Sequence, residues 1–334
     1  MTRIIRRRTA LALGLAAGAF AAPMFTRHSE AQSVNRAGKT MRMVVPFAAG
    51  GTSDLLARIV GQILADSTTS TCVVDNRPGD GGNVSAEIVA RAPPDGLTLL
   101  LGTLGTAVTN QYLYKYLPYD IEGSFAPVAL VGEVTNVLVV HPSFAAKTFK
   151  EFIDYCKWQG PNNVTYSSPG VGSAGHLSME YLQIRAGIKL AHVVYRSRAA
   201  MTKALLAGHV PIAMDNLPPY LQDVQSGALS ALGVSSSKRW FAAPDLPTIA
   251  EQGYPNFEAA YWWYVAAPAG TRPDVVTKLS DEIVKGIKCE STIKKIRDAG
   301  ALELPGSAED LARHIAAENK KWKQVIAAAN IKPQ

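Results

Sequence analysis

The middle of the chain carries three glycines in the spacing G-x-G-x-x-G. Gly170, Gly172 and Gly175 follow an apolar run that ends at Tyr166, and a stretch with helical periodicity begins directly after them. A strand, a glycine-rich turn and a helix in this order are typical of a dinucleotide-binding turn. Such a turn offers backbone N–H groups and the positive end of a helix to an anion that approaches the main chain closely.

One interpretation of this turn is an NADP-dependent oxidoreductase that uses Gly170, Gly172 and Gly175. A Rossmann unit carries an acidic residue about twenty positions after its glycines to bind the ribose, whereas an arginine there accommodates a 2′-phosphate. Here that region contains Arg196 and Arg198. The position of the turn in mid-chain, after several strands, disfavours this alternative, and a lone G-x-G-x-x-G is a weak signal.

A second turn of the same kind points to a different anion. The sequence VVPFAAGGTSDLLARI places Gly50 and Gly51 between a strand and a helix, without the G-x-G-x-x-G spacing. One helix N-terminus stabilises an anion by only about 0.3–1 kcal/mol, so a single turn would bind weakly. Two turns that face each other across a cleft would hold a small carboxylate well.

The sequence matches no common catalytic pattern. The residue two positions before Ser173 is Val171, so the G-x-S-x-G pattern of a nucleophile elbow is not matched. The six histidines occur singly along the sequence, which does not suggest a metal site. We therefore expect no cofactor, no metal and no catalytic group. Cys72, Cys156 and Cys289 allow at most one intramolecular disulfide.

The elements that must position these turns alternate between strands and helices. MRMVVPF, TCVVDN, LTLLLGT, NVTYSS, AHVVYR and VPIAMDN predict strands, and LLARIVGQIL, TFKEFIDYCKW and HLSMEYLQIRAG predict helices between them. This alternation predicts an α/β fold with largely parallel sheets. The last helix is expected to begin at Ser307, with Asp310 three residues on as in a capping box.

The N-terminus predicts export. Arginines at positions 3 and 6–8 precede an apolar stretch over 10–22, and small residues offer a cleavage site after Ala31, with a cut near Ala21 as the alternative. Residues 1–31 are therefore interpreted as a signal peptide, through either the twin-arginine or the Sec route. Removing them, with their five arginines and one glutamate, lowers the formal net charge from +7 to +3. No basic stripe interleaved with aromatic residues is present, so nucleic acid is not an expected partner.

Long stretches of the chain, in order from about residue 40 to the C-terminus, resemble the Bug family of periplasmic solute receptors associated with tripartite tricarboxylate transporters. The similar segments are MRMVVPFAAGGTSDLLARIVGQIL, VVDNRPGDGGNVSAEIVARAPPDGLTLLLGT, FAPVALVGEVTNVLVVHPS, YSSPGVGSAGHLSMEYL, ALLAGHVPIAMDNLPP and LPTIAEQGYPNFEAAYWWYVAAPAGTRPDVVTKL.

The resemblance implies a two-lobed periplasmic binding protein, type II-like, that closes on its ligand like a flytrap. Lobe one would comprise 40–140 and 263–334, and lobe two 141–262. The two hinge crossings would fall near Val139–Pro142 and Trp262–Ala266. The protein would act in the periplasm, and its partners would be a small organic acid and either transporter membrane subunits or a sensor kinase ectodomain. The sequence leaves open whether the ligand is a di- or tricarboxylate, an acidic amino acid or an aromatic acid.

The resemblance also implies that backbone amides and small hydroxyl groups of the two turns bind a ligand carboxylate. In lobe one the implied ligand-binding residues are Phe47, Ala49, Gly50, Thr52, Ser53, Asp54, Thr103 and Thr106. In lobe two they are Ser167, Ser168, Gly172, Ser173, Ala174, His176 and Asp215.

Two segments depart from the family, and one of them, STTSTCVV, lacks the usual glycine before its strand but lies away from the glycine turns. Family members usually read Tyr-Lys-Gly-Ala where this chain reads Tyr195-Arg196-Ser197-Arg198. Arg198 therefore adds a charge, and two interpretations stay open for it. It is either a solvated surface arginine or a partner for a ligand carboxylate.

Overall fold

The structure is a computed structural model that describes residues 38–68 and 70–333. The predicted signal peptide, 1–31, lies outside the described residues. The strands are β1 (Thr40–Val45), β2 (Thr71–Asn76), β3 (Thr98–Thr103), β4 (Phe125–Val134), β5 (Asn136–Val140), β6 (Thr165–Ser168), β7 (Ala191–Val194), β8 (Ile212–Asn216), β9 (Ser230–Val234), β10 (Tyr261–Pro268) and β11 (Leu302–Gly306). The helices are α1 (Thr52–Thr68), α2 (Asn83–Ala90), α3 (Asn110–Leu113), α4 (Phe149–Gln159), α5 (Ala174–Ala186), α6 (Arg198–Leu206), α7 (Leu221–Gln225), α8 (Pro273–Ile287), α9 (Glu290–Asp298) and α10 (Ala308–Ala328).

The strands form two separate sheets. The first sheet has the order β11-β4-β10-β3-β1-β2, and the second has the order β7-β6-β8-β5-β9. In the first sheet β1 runs parallel to β2 and β3. Strand β10 pairs antiparallel with β3 on one side and with β4 on the other. In the second sheet β6 runs parallel to β7 and β8, whereas β5 is antiparallel to β8 and β9. The α/β class is confirmed.

Both sheets are mixed, so the prediction of largely parallel sheets was wrong. The reason lies in the connections. Parallel neighbours need a crossover, usually a helix. Strand β4 instead continues into β5 through the single residue Thr135, and β10 returns beside β4 in the opposite direction. The antiparallel pairs arise around these two passages.

The chain changes sheet at Thr135 and again just before Tyr261. The first passage lies earlier than the crossing expected near Val139–Pro142, because β5 belongs to the second sheet. Buried Asn136 ties the two passages together. Its Nδ2 donates to the carbonyl oxygen of Ala259 at 2.7 Å, and its backbone N–H donates to Ser235 Oγ at 2.9 Å.

The helices bury one apolar face each against the sheets. In α1, Leu56, Val60 and Leu64 recur at a spacing of four residues and are fully buried. Helix α10 begins as predicted, because Ser307 Oγ accepts the N–H of Asp310 and the Asp310 carboxylate accepts the N–H of Ser307 at 2.8 Å. Of the helices in the described part of the chain, none has the length and apolar character needed to cross a membrane.

Candidate functional site

A cavity of about 820 Å³ lies between the two sheets and is open to solvent. Residues of both glycine turns line it, as expected for two turns that face each other across a cleft. Of the sixteen candidate ligand-binding residues, Arg198 included, nine line this cavity: Phe47, Ala49, Thr52, Ser53, Gly172, Ser173, Ala174, Arg198 and Asp215. Seven others do not line it: Gly50, Asp54, Thr103, Thr106, Ser167, Ser168 and His176.

At the first turn, a carboxylate holds the main chain so that helix α1 can begin. The Asp54 carboxylate accepts the N–H of Gly50 at 3.0 Å and a forked pair of bonds from Arg58, each 3.0 Å long. Burial raises the pKa of Asp54, but these hydrogen bonds outweigh it and lower the pKa below its usual value. Gly50 and Asp54 therefore build the turn. Among the described residues, the N–H groups of Thr52 and Ser53 have no acceptor.

At the second turn, His176 takes the equivalent part. The N–H of Gly172 donates to His176 Nδ1 at 3.0 Å, and the N–H of His176 donates to Ser173 Oγ at 3.3 Å, which caps helix α5. In the described part of the chain, the N–H groups of Ala174 and Gly175 meet no acceptor. The first turn of α5 thus presents free donors at the cavity, as the first turn of α1 does.

The third glycine of the G-x-G-x-x-G spacing serves packing. A Cβ added to Gly175 would lie 1.8 Å from the carbonyl oxygen of Met214 in β8, so only glycine lets helix α5 approach this strand. Gly172 adopts a φ of +78°, and a Cβ there would lie 2.5 Å from Leu113 of α3. The spacing is therefore explained by the helix–strand contact and a left-handed turn, without a pyrophosphate.

His176 is the end of a buried stack of three rings. Its ring lies parallel to that of His192 at a centroid distance of 4.2 Å, and His192 stacks on Tyr166 at 4.7 Å. Burial lowers the pKa of His176 to about 3 and that of His192 to about 4. A neutral His176 ring is also what the hydrogen bond requires, since Nδ1 must lack a proton to accept the N–H of Gly172.

The hydroxyl groups of Thr106, Ser167 and Ser168, which lie outside the cavity, are hydrogen-bonded within the protein. Thr106 Oγ1 accepts the N–H of Thr103 at 2.9 Å and donates to the Thr103 carbonyl oxygen at 3.0 Å. Ser167 Oγ donates to the carbonyl oxygen of Ile212 at 3.1 Å. Ser168 Oγ lies 2.7 Å from His192 Nε2. These residues fix the strand ends and loops behind the cavity.

Arg198 and Asp215 form an ion pair in the cavity wall. Arg198 Nε donates to Asp215 Oδ2 at 2.5 Å, and Arg198 Nη2 donates to Oδ1 at 3.1 Å. The Asp215 side chain is 1% exposed and that of Arg198 is 43% exposed. Burial opposes the charge on Arg198, but the hydrogen bonds and charge of Asp215 raise its pKa. Of the described residues that line the cavity, these two alone are charged, so the wall has no net charge.

Two aromatic residues of the wall, Tyr261 and Trp263, were not singled out from the sequence, whereas Phe47 was. Tyr261 and Trp263, at the start of β10, both face the cavity, as alternate residues of a strand do. Their rings meet edge to face at 5.4 Å, and Trp263 Nε1 donates to Ser53 Oγ at 2.8 Å. The signal was present as the two-residue alternation in YWWYV, but five consecutive aromatic and β-branched positions do not reveal which face a cleft will use.

The chain is similar to known periplasmic receptors along most of its length. The model of the tripartite tricarboxylate transporter family receptor matches residues 56–331. Protein BugT of Bordetella pertussis is 32% identical over 289 residues, which cover 86% of this chain and 88% of BugT.

Two solved structures have the same fold at appreciable sequence identity. Rpa4515 of R. palustris, solved with adipate, is 36% identical with a TM-score of 0.76, and the match covers 89% of this chain and 99% of that one. MatC from Rhodopseudomonas palustris, solved with bound malate, is 29% identical with a TM-score of 0.71, and the match covers 86% and 99% of the two chains.

Proposed function

Since the chain belongs to the tripartite tricarboxylate transporter receptor family, as its resemblance to the Bug proteins predicted, we propose that it is a periplasmic receptor for a small organic carboxylate. The ligand binds in the 820 Å³ cavity between the two sheets. Its class is a di- or tricarboxylate, an acidic amino acid or an aromatic acid. The neighbouring structures that contain adipate and malate support a carboxylate.

The observation that carries this proposal is the pair of helix N-termini at one cavity. Helix α1 follows a strand of the first sheet and helix α5 follows a strand of the second. Each helix presents first-turn N–H groups without acceptors among the described residues. Backbone donors and helix ends attract a carboxylate in the absence of a lysine or an arginine. An activated nucleophile or an opposed acid–base pair is not needed to explain any group in this wall, which fits a binding protein.

We further propose that the two sheets are the cores of two lobes that close on the ligand. Lobe one is built around 40–134 with the C-terminal part from Tyr261, and lobe two around 136–259. This division moves the boundaries predicted at 140 and 262 to the residues at which the chain changes sheet. A ligand held by both turns stabilises the closed form by its differential affinity for that form.

The proposed site of action is the periplasm, reached through the signal peptide predicted at 1–31. Transporter membrane subunits or a sensor kinase ectodomain would receive the loaded protein.

The test is binding of organic acids to the purified protein, with thermal unfolding and isothermal titration as readouts. Succinate, adipate, malate, citrate, glutamate and benzoate represent the classes. At least one acid is expected to raise the unfolding temperature, since a ligand that binds only the folded state stabilises it by mass action. Stabilisation by NADPH and by none of these acids would contradict the proposal.

Gly51→Val locates the binding site. Gly51 lines the cavity at the N-cap of α1, and an added Cβ would meet only the Ala48 carbonyl oxygen, at 3.9 Å. Valine there fills the approach to the free N–H groups with little strain, so affinity should fall by about tenfold or more. Ala65→Val, near the other end of the same helix, is the matched control and should bind normally. Unchanged binding by the Gly51 variant would place the ligand elsewhere.

A further inference from the structure

We propose that Arg198 and Tyr261 form a second carboxylate-binding subsite, so that the protein prefers dicarboxylic acids to monocarboxylic acids of the same chain length. This inference rests on the proposed function. In it, the two helix N-termini hold one carboxylate of the ligand, and Arg198 with Tyr261 holds the other.

The guanidinium group of Arg198 has one face occupied and one face free. Asp215 accepts bonds from Nε and Nη2, which is the side-on face of the fork. Within the described part of the chain, Nη1 makes no hydrogen bond, and the side chain remains 43% exposed at the cavity. A guanidinium group has five N–H donors in a fixed plane. The end-on face formed by Nη1 and Nη2 can therefore donate hydrogen bonds to a second carboxylate while the first stays bound.

Asp215 fixes the direction of this free face. It is almost fully buried and also accepts the N–H of Asn216 at 2.8 Å, so its position is set by strand β8. Two bonds from such a carboxylate hold the plane of the Arg198 fork in place. Arg198 is therefore preorganised for a ligand in a way that a solvated surface arginine is not.

Tyr261 places a hydroxyl group in the same wall from the other sheet. Its ring packs edge-on against Trp263, and Trp263 in turn donates a hydrogen bond to Ser53 at the first turn. Burial raises the pKa of Tyr261 to about 12, while Thr103 and the charge of Arg198 act to lower it. The hydroxyl group therefore keeps its proton and donates to an anion at neutral pH. Because Arg198 opens helix α6 beside the second sheet and Tyr261 opens β10 in the first, the subsite is assembled from both sheets.

The discrimination comes from groups that a monocarboxylate leaves unpaired. When the cleft closes on a monoacid, the end-on face of Arg198 and the Tyr261 hydroxyl lose water without gaining an acceptor. A site built to hydrogen-bond a group of the ligand penalises the analogue that lacks this group.

The experiment compares matched pairs of acids by isothermal titration, adipate with hexanoate and succinate with butyrate. Wild type is expected to bind the better diacid at least about tenfold more tightly than its monoacid, which is the worth of one hydrogen bond to a charged group. Tyr261→Phe removes only the hydroxyl group. Arg198→Lys keeps a charge beside Asp215 but loses the planar fork. Each should weaken diacid binding by about fivefold to tenfold and leave monoacid binding within about twofold.

Arg196→Lys is the matched control, since Arg196 is exposed, lies two residues away and does not line the cavity; it should match wild type. If monoacids and diacids bind equally to wild type, or if the two variants weaken both acids equally, the subsite is overturned while the carboxylate receptor stands. If no acid binds to wild type, the proposed function fails, and this inference falls with it.

Discussion

Acidification is expected to destabilise the protein through His176, because this histidine can do its structural work only without a proton. Its Nδ1 accepts the N–H of Gly172, and its ring stacks on His192. Protonation would replace the acceptor by a donor that faces another donor, and it would place a charge in a side chain that is only 5% exposed. The perturbation is a fall in pH from 7 to 5, applied to wild type and to His176→Asn.

The magnitude follows from the shift in the pKa. The unfolded chain binds the proton near pH 6.5, whereas folded His176 binds it only near pH 3. Between these values the unfolded state holds more protons, so the free energy of unfolding falls as the pH falls. Summed from pH 7 to pH 5 at 1.36 kcal/mol per pKa unit, the loss from His176 alone is about 2 kcal/mol.

Other groups titrate in the same window and must be separated from His176. His192, with its pKa lowered to about 4, also destabilises the protein on acidification. Glu133 acts in the opposite direction, because burial raises the pKa of its carboxyl group to about 7, and the folded state therefore takes up its proton first. Both remain in the His176→Asn variant. The difference between wild type and variant thus reports on His176 together with its electrostatic coupling to His192, while the asparagine Oδ1 keeps an acceptor for Gly172.

The assay is urea unfolding at pH 7 and pH 5, with the denaturant slope checked for constancy. Wild type should lose about 2 kcal/mol more than His176→Asn between the two pH values. His209→Asn, at an exposed histidine, serves as the control and should behave like wild type. Equal losses in wild type and His176→Asn would refute the claim that folding holds this ring neutral.

Two further substitutions test how the turns are held. Gly172→Ala should lower the free energy of unfolding by about 1–2 kcal/mol because of its left-handed backbone, and by a further steric cost against Leu113. Adding Leu113→Ala should recover only the steric part. If the effects of the two substitutions are simply additive, the two residues do not press on each other. Trp263→Phe removes the donor to Ser53 and should lower the unfolding free energy by about 1 kcal/mol, measured by urea denaturation, while Ser53→Ala added to it should cost little more if that bond is the interaction lost.

The sequence predicted the individual strands and helices better than it predicted which strands pair with each other. The periodicities that predict a strand or a helix are local, and they were sufficient for the α/β class. The pairing of β10 with β3 and β4 is not local, because it joins segments separated by the whole second sheet. A passage through a single residue, Thr135, leaves no turn signal in an apolar run, so the change of sheet was expected too late in the chain.

The two glycine turns were predicted, but the donors that remain free in them were not. Side chains four residues further on occupy the N–H groups of Gly50 and Gly172, through Asp54 and His176 respectively. Such local bonds depend on side-chain rotamers that the sequence does not specify. The same limit applies to Arg198. The sequence offered a surface arginine or a ligand partner, and the structure shows it paired with Asp215 yet still exposed at the cavity.

The charges of the cavity wall explain why hydrogen-bond geometry, and not net charge, must decide which acid binds. Each helix N-terminus carries about half a positive charge, so α1 and α5 together balance about one carboxylate. The Arg198–Asp215 pair adds no net charge for a second carboxylate. A diacid is therefore held at its second end by the directed donors of the Arg198 fork and the Tyr261 hydroxyl group. A lysine at position 198 supplies the same charge in a different geometry, and on this reasoning it should fail to replace the arginine.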